Sequence, residues 1–330
     1  MSIYIEELKS FEGAGVLVLG DIVLDHYLEG RVDRISPEAP VPVVTLDAGG
    51  ERFAPGGAAN VALNVLSLGG KPMIAGVVGE DQDGALLIDL LEQAGVDVSC
   101  VSTDPERPTT RKTRVISRGH QLIRIDRESV APCRRDRNAP ENSSITRALN
   151  RVTAVVFEDY DKGFLGDFNI PWIIRESRDR GIPVLADPKF RNFMLYREVS
   201  LVKPNLREAS ALLGAELDDR PIHEITDACR RIMEMLDAEA VLLTMGAGGS
   251  ILSLRGAKEP LIQSTAARHV YDVSGAGDAV IAVMGVAAAA GVPALKAAVI
   301  ANYAAAAVCA EPGVYAVTPE DILREARLDE

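Results

Sequence analysis

The residues best suited to chemistry gather in Asp272-Val273-Ser274-Gly275-Ala276-Gly277-Asp278, which runs straight into the apolar stretch Ala279–Ala290. Small residues at 274–277 let the backbone turn tightly and open a helix whose first N–H groups lack intrahelical partners. Those donors and the positive end of the helix dipole point the same way, so such a start binds anions. Asp278 falls in the first turn, beside that anion hole. A carboxylate next to converging N–H groups suits phosphoryl transfer. The donors stabilise charge on the moving group while the carboxylate accepts a hydroxyl proton. The competing reading of the same residues is an N-capped core helix with an acidic first turn.

Other phosphate motifs fail. Gly69-Gly70-Lys71 continues into Pro72 without the earlier glycine of a P-loop. Gly275-Ala276-Gly277 has Val280 where a dinucleotide fingerprint needs its third glycine. What remains is a kinase with a helix-start anion hole and an aspartate base. Metal and redox chemistry have no pattern here. Cys100, Cys133, Cys229 and Cys309 are far apart, and His223-Glu224 lacks the second histidine of a zincin. The cysteines read as reduced thiols of a cytoplasmic protein. A net charge of −13 argues against nucleic acid or an anionic membrane as partner. Met1–Gly20 does not read as a signal peptide. Ala279–Ala290 is apolar but short, and Ala294–Ala310 is interrupted by Lys296 and Asn302. Both fall below the roughly 20 residues of a bilayer span and read as Ala-rich core helices.

The elements that must position Asp278 follow from periodicity. With 330 residues, 47% of them hydrophobic, the chain can bury a large core. Val16–Leu19, Met73–Val78, Ala154–Phe157, Pro183–Ala186, Leu201–Lys203, Ala240–Thr244 and Ser250–Leu254 read as short buried strands. Helical spacing falls at Ala58–Leu68, Ala85–Ala94, Pro171–Arg180, Arg207–Leu213 and Ile222–Leu236. Such alternation predicts a parallel sheet covered on both faces, with ligands beyond the carboxyl ends of its strands. Asp21, Asp159, Asp187, Asn205 and Thr244 fall near those ends and are expected to line one rim. Pro37, Pro40 and Pro42 make Arg34–Val44 an edge strand or extended arm.

Thr109–Asp126 differs in kind. Alternation puts Lys112, Arg114 and Arg118 on one face, Arg118-Gly119-His120 reads as a turn, and Leu122, Arg124 and Asp126 share a face beyond it. This is a basic hairpin in an acidic protein. It is either an edge protected by cations or a lid that offers cations to a phosphorylated ligand.

Two motifs make the chain similar to the ribokinase-like (PfkB) sugar kinases over nearly its whole length: Pro55-Gly56-Gly57-Ala58-Ala59-Asn60 and the 272–278 segment. Within that family it most resembles the kinases of D-glycero-D-manno-heptose 7-phosphate. The closer likeness lies in Arg34–Val44, Arg114–Arg118, Gln121–Asp126, Asp159–Gly163 and Asp187-Pro188-Lys189. Thr244–Gly249, Ala279 and Ala310–Gly313 depart from the heptose kinase pattern on the nucleotide side.

The resemblance implies a three-layer ribokinase-like α/β fold over residues 1–330, with a central, mostly parallel sheet. A small β-sheet lid is expected from about 22–52 and 107–127, with homodimer formation through it. It implies Asp278 as catalytic base, with Gly275, Ala276 and Gly277 as the anion hole. Asn205 and Glu208 match an N-x-x-E element that orders Mg²⁺ through water beside ATP, and Thr244, Gly246 and Gly249 run under the nucleotide. Asp25 and Asn60, with Gly56 and Gly57 allowing close approach, would hold sugar hydroxyls. Lys112, Arg114, Arg124 and Lys189 are the cations available to a substrate phosphate. ATP and Mg²⁺ are the implied cofactors, and a monovalent cation requirement stays open. The H-x-G-H motif of a fused nucleotidyltransferase is not in these 330 residues, so the kinase step alone is expected. Two other readings stand beside this one: a PfkB kinase for fructose, a nucleoside or another sugar phosphate, and a catalytically idle sugar- or nucleotide-binding regulator.

Overall fold

The computed structural model describes residues 4–133 and 140–328. The first half runs α1 (Ile5–Ser10), β1 (Gly15–Gly20), β2 (Ile22–Ile35), β3 (Pro42–Gly57), α2 (Ala58–Ser67), β4 (Lys71–Gly79), α3 (Gln82–Ala94), β5 (Asp97–Asp104), β6 (Thr110–Ser117) and β7 (His120–Arg127). The second runs α4 (Pro140–Leu149), β8 (Ala154–Glu158), α5 (Ile170–Arg178), β9 (Val184–Asp187), β10 (Leu201–Val202), α6 (Leu206–Leu213), α7 (Ile222–Leu236), β11 (Ala240–Thr244), β12 (Ser250–Leu254), β13 (Leu261–Gln263), α8 (Ala276–Ala289), α9 (Ala294–Cys309) and α10 (Pro319–Leu328).

Among the described residues, nine strands form one sheet in the order β13-β12-β11-β10-β9-β8-β1-β4-β5. Its pairings are parallel except at β11–β12 and β12–β13. Burial on both faces explains the unbroken apolar runs in its central strands. Val16 and Val18 enter one core with α2, α8 and α9, while Leu17 and Leu19 enter the other with α5 and α7. This period-two division is what a strand between two helical layers requires. α8 is buried from Asp278 to Ala287, which accounts for its lack of a polar face.

The remaining strands form a second sheet in the order β3-β2-β6-β7. β2 leaves the end of β1 at Asp21, and β3 returns to feed α2. Register pairs Asp25 with Lys112 and Ala54, Tyr27 with Arg114 and Arg52, and Arg114 with Arg124. Register partners share a face, so Asp25, Tyr27, Lys112, Arg114 and Arg124 stand on one side.

Two expectations are refined here. Arg34–Val44 is not one extended arm, because β2 stops at Ile35 and the N–H of Ser36 donates to the Val41 carbonyl (2.9 Å) before β3 begins. The prolines between lack the N–H that would continue a ladder. Arg118 leaves the basic face, since β6 ends at Ser117 and Arg118 enters the hairpin turn at φ 51°. The elements α1, β5, α4, β13 and α10 are additions that the sequence pattern did not single out.

Candidate active site

The start of α8 is built as its residue types require. Gly275 caps the helix in the left-handed region at φ 81°, where a side chain is strained. A β-carbon there would also stand 2.9 Å from Asn60 Nδ2. Asp272 fixes the approach by accepting from the N–H groups of Ser274 (2.9 Å) and Gly313 (3.0 Å). Asp278 is 6% exposed, and both of its oxygens take donors. Asn60 Nδ2 donates to Oδ2 at 2.7 Å, and the Tyr160 hydroxyl donates to Oδ1 at 3.1 Å. Asn64 Nδ2 donates to Asn60 Oδ1 (3.1 Å), which fixes the Asn60 amide with its nitrogen toward Asp278. Burial pushes the Asp278 carboxyl up from its ordinary range, and Asp187 adds to this. Asn60, Lys203 and Tyr160 pull it back.

Behind Asp278 the strand ends converge. Glu158 and Asp187 are register partners at the ends of β8 and β9. Lys203 Nζ lies 2.6 Å from an Asp187 oxygen, with both side chains buried. Glu158 is fully buried, and neither of its oxygens has a hydrogen-bond partner among the described residues. Burial first, then Asp187 and Asp278, drive its carboxyl well above the usual range. Burial without a partner disfavours its charged form.

Asn205 caps α6 in a reciprocal box: its Oδ1 accepts from the Glu208 N–H, and Glu208 Oε2 accepts from the Asn205 N–H, both at 2.9 Å. Thr244 bridges to Asn205, so the end of β11 lies against this turn. Lys189 forms an ion pair with Glu208 Oε1. Although burial opposes the Lys189 charge, Asp187 and Glu208 raise its pKa overall. Beyond Thr244, Gly246 opens a short turn where a β-carbon would meet nothing within 4 Å, and Gly249 closes it.

On the small sheet, Arg114 is ion-paired with Asp25, and both side chains are largely buried. Gly56 passes so close that a β-carbon would stand 2.2 Å from Asp25 Oδ2 and push that carboxylate aside. Gly57 then turns the chain into α2. Lys112 Nζ lies 5.0 Å from the Tyr160 ring centroid and Lys189 Nζ lies 5.3 Å from it. Burial lowers the Lys112 pKa. Arg124 differs, since its Nε and Nη2 are both occupied by Asp126 at 2.9 Å and its side chain is 50% exposed.

Most of the sequence-derived candidates thus fall along the carboxyl ends of the parallel strands and the adjoining face of the small sheet. Arg124 stands apart. Two rim residues have other work. Asp21 is buried and accepts from the N–H groups of Tyr160 (2.8 Å) and Lys162 (3.0 Å), while Asp159 accepts from Asn192 (2.9 Å) and Tyr196 (2.8 Å). Sequence reading gave no role to Tyr160, Glu158 or Lys203. Their position directly after buried strands, on the expected rim, was the signal that could have marked them.

A family model for "pfkB family carbohydrate kinase" matches residues 14–321. The chain belongs to that family. This carbohydrate kinase, a phosphotransferase, is 40% identical over 325 residues to the bifunctional protein HldE of Geobacter sulfurreducens. The match covers 97% of the chain and 64% of that protein, so the chain spans about two thirds of the relative's length. Among solved structures, ribokinase of Arabidopsis thaliana complexed with ribose and ATP superposes with a TM-score of 0.75 at 21% identity, covering 95% of this chain and 98% of that one. Phosphofructokinase-2 of Escherichia coli, in complex with substrates and products, gives a TM-score of 0.77 at 21% identity, over 96% and 100%. The fold is ribokinase-like, an α/β architecture with a large, mostly parallel sheet and a smaller second sheet.

Proposed function

We propose that this kinase transfers the γ-phosphoryl group of ATP to the anomeric hydroxyl of D-glycero-D-manno-heptose 7-phosphate. The product would be the 1,7-bisphosphate of ADP-heptose and lipopolysaccharide precursor synthesis, made in the cytoplasm. The observation that favours a phosphorylated acceptor is the Lys112 ammonium, 5.0 Å from the ring whose hydroxyl bonds Asp278; Lys189 lies 5.3 Å from the same ring and is paired with Glu208. The 40% identity to HldE favours heptose among such acceptors.

In this reading Asp278 accepts the acceptor's proton late in the transfer, its value lying in position more than in basicity. The N–H groups at Gly275, Ala276 and Gly277 stabilise the charge on the moving phosphoryl group. Asp25, Gly56, Gly57 and Asn60 receive the sugar hydroxyls. Arg114 and Lys112 face the acceptor phosphate, with Arg124 at the margin. Thr244, Gly246 and Gly249 run under the nucleotide. Mg²⁺, when bound, neutralises charge on the ATP phosphates. The residues fit it through water, because both Glu208 oxygens are already engaged by Lys189 and Asn205 yet each keeps a lone pair for a metal-bound water.

ATP consumption measured across sugar phosphates, free sugars and nucleosides tests the reading, with product position assigned by phosphorus NMR. Fastest turnover on the heptose 7-phosphate with a new anomeric phosphate is expected. Preference for fructose, a nucleoside or another sugar phosphate would replace heptose as the acceptor. Ligand binding without turnover would make the protein a regulator.

A further inference from the structure

Tyr160 links Asp278 to two of the candidate cations. Its hydroxyl donates to Asp278 Oδ1 at 3.1 Å, and its ring lies 5.0 Å from Lys112 Nζ and 5.3 Å from Lys189 Nζ. The backbone beneath it is pinned. Its own N–H donates to Asp21 (2.8 Å), and Asp159, just before it, is held by Asn192 and Tyr196. Two buried aspartates therefore serve to fix one tyrosine. We propose that Tyr160 is a positioning residue whose hydroxyl aims the Asp278 carboxylate and whose ring draws the Lys112 ammonium to the acceptor side, with the Glu208-paired Lys189 ammonium beside it. The proposal rests on Asp278 acting as the base.

Electrostatics make the hydroxyl a permanent donor. Asp278 first, then burial and Glu158, disfavour the phenolate and raise the Tyr160 pKa well above its usual value. Asp278 is faced by Asn60 from α2, by Glu158 and Tyr160 from β8 and the residues after it, by Asp187 from β9 and by Lys203 beyond β10. Among these, only Asn60 and Tyr160 donate hydrogen bonds to its carboxylate oxygens. Each oxygen accepts twice, so a substrate hydroxyl can bind Oδ1 or Oδ2 without displacing either donor. The ring acts separately, since an ammonium near an aromatic face is attracted by the quadrupole.

Tyr160→Phe keeps the ring and removes the hydroxyl alone. A carboxylate that loses a donor becomes easier to protonate, so the acid limb of kcat at saturating substrates should move up by about one pH unit, with plateau kcat falling about ten-fold. Acceptor KM should stay within about two-fold. Tyr160→Leu should in addition raise acceptor KM about five-fold while leaving ATP KM unchanged. In an Asp278→Asn background, Tyr160→Phe should produce no further loss. An acid limb that stays in place in Tyr160→Phe, while Asp278→Asn loses about 100-fold or more, overturns the hydroxyl role and leaves the base standing. Near-wild-type kcat in Asp278→Asn overturns the base itself. Equal acceptor KM in the Phe and Leu variants overturns the role of the ring; Tyr160→Phe decides the hydroxyl role even if the Leu variant folds poorly.

Discussion

Glu158 shows how much one residue depends on its surroundings. It ends β8 fully buried, with no donor for either oxygen among the described residues, beside Asp187 and Asp278. Burial first, then the nearby Asp187 and Asp278, disfavours a charge on Glu158 and raises its pKa well above the ordinary value. The consequence for stability has a definite sign. Its folded pKa is raised above the unfolded value of about 4.3, so the unfolded chain loses this proton first as pH rises. The contribution present below about pH 4 is then lost progressively toward the raised folded pKa. Glu158→Gln cannot ionise in either state. In urea denaturation it should match wild type near pH 4 and exceed it by a growing margin from pH 5 to pH 8. A difference independent of pH would mean that Glu158 is ionised in the folded protein.

At the scale of elements, the β6–β7 hairpin divides its cations. Lys112 and Arg114 lie on β6 toward the strand ends of the large sheet, partly or largely buried. Arg124 lies on β7, where all eight residues are exposed, and is matched by Asp126 two positions on. Lys112→Ala should therefore raise KM for the phosphorylated acceptor about ten-fold, as loss of a charged hydrogen bond does. Arg124→Ala should raise it less than about three-fold, since exposed paired charges contribute little. ATP KM should hold in both variants. Steady-state kinetics at two salt concentrations check this, because an enclosed phosphate is poorly screened. Equal effects from both substitutions would mean that the outer strand moves onto the substrate. No effect from either would make the hairpin a protected edge.

For the whole molecule, the small sheet leaves unfinished surface. Ile123 and Ile125 are 54% and 55% exposed on β7, and Ile35, Val41 and Leu46 are exposed on β2, β3 and the turn between them. Open strand edges with apolar faces are usually paired or covered. A second copy of the chain joined through these sheets would cover them. Light scattering at micromolar concentration should give about twice the 35.3 kDa chain mass, and Ile125→Asp should shift the protein toward monomer. A wild-type monomer would remove the homodimer. Elsewhere, no helix among the described residues is long and apolar enough to cross a membrane. The two Ala-rich helices, α8 and α9, instead pack against each other in the core.

The sequence by itself determined the layered α/β plan, because strand and helix periods are local properties of the chain. It also determined the helix start at Gly275, since few residue types can make that turn and cap, and the N-x-x-E turn at Asn205, whose capping box closes within four residues. The strands β5 and β13 and the helices α1, α4 and α10 escaped because apolar residues are few in them. Only the tertiary structure decided what surrounds the carboxylate. Asn60 is 218 residues from Asp278 and Tyr160 is 118 residues from it, and no periodicity reports a partner at such separations. It also decided that Asp21 and Asp159 hold a loop, that Arg124 is already paired, and that Glu158 has no hydrogen-bond partner among the described residues. Each of these is settled by which charges and donors meet once water is excluded, and that is a property of packing, not of residue order.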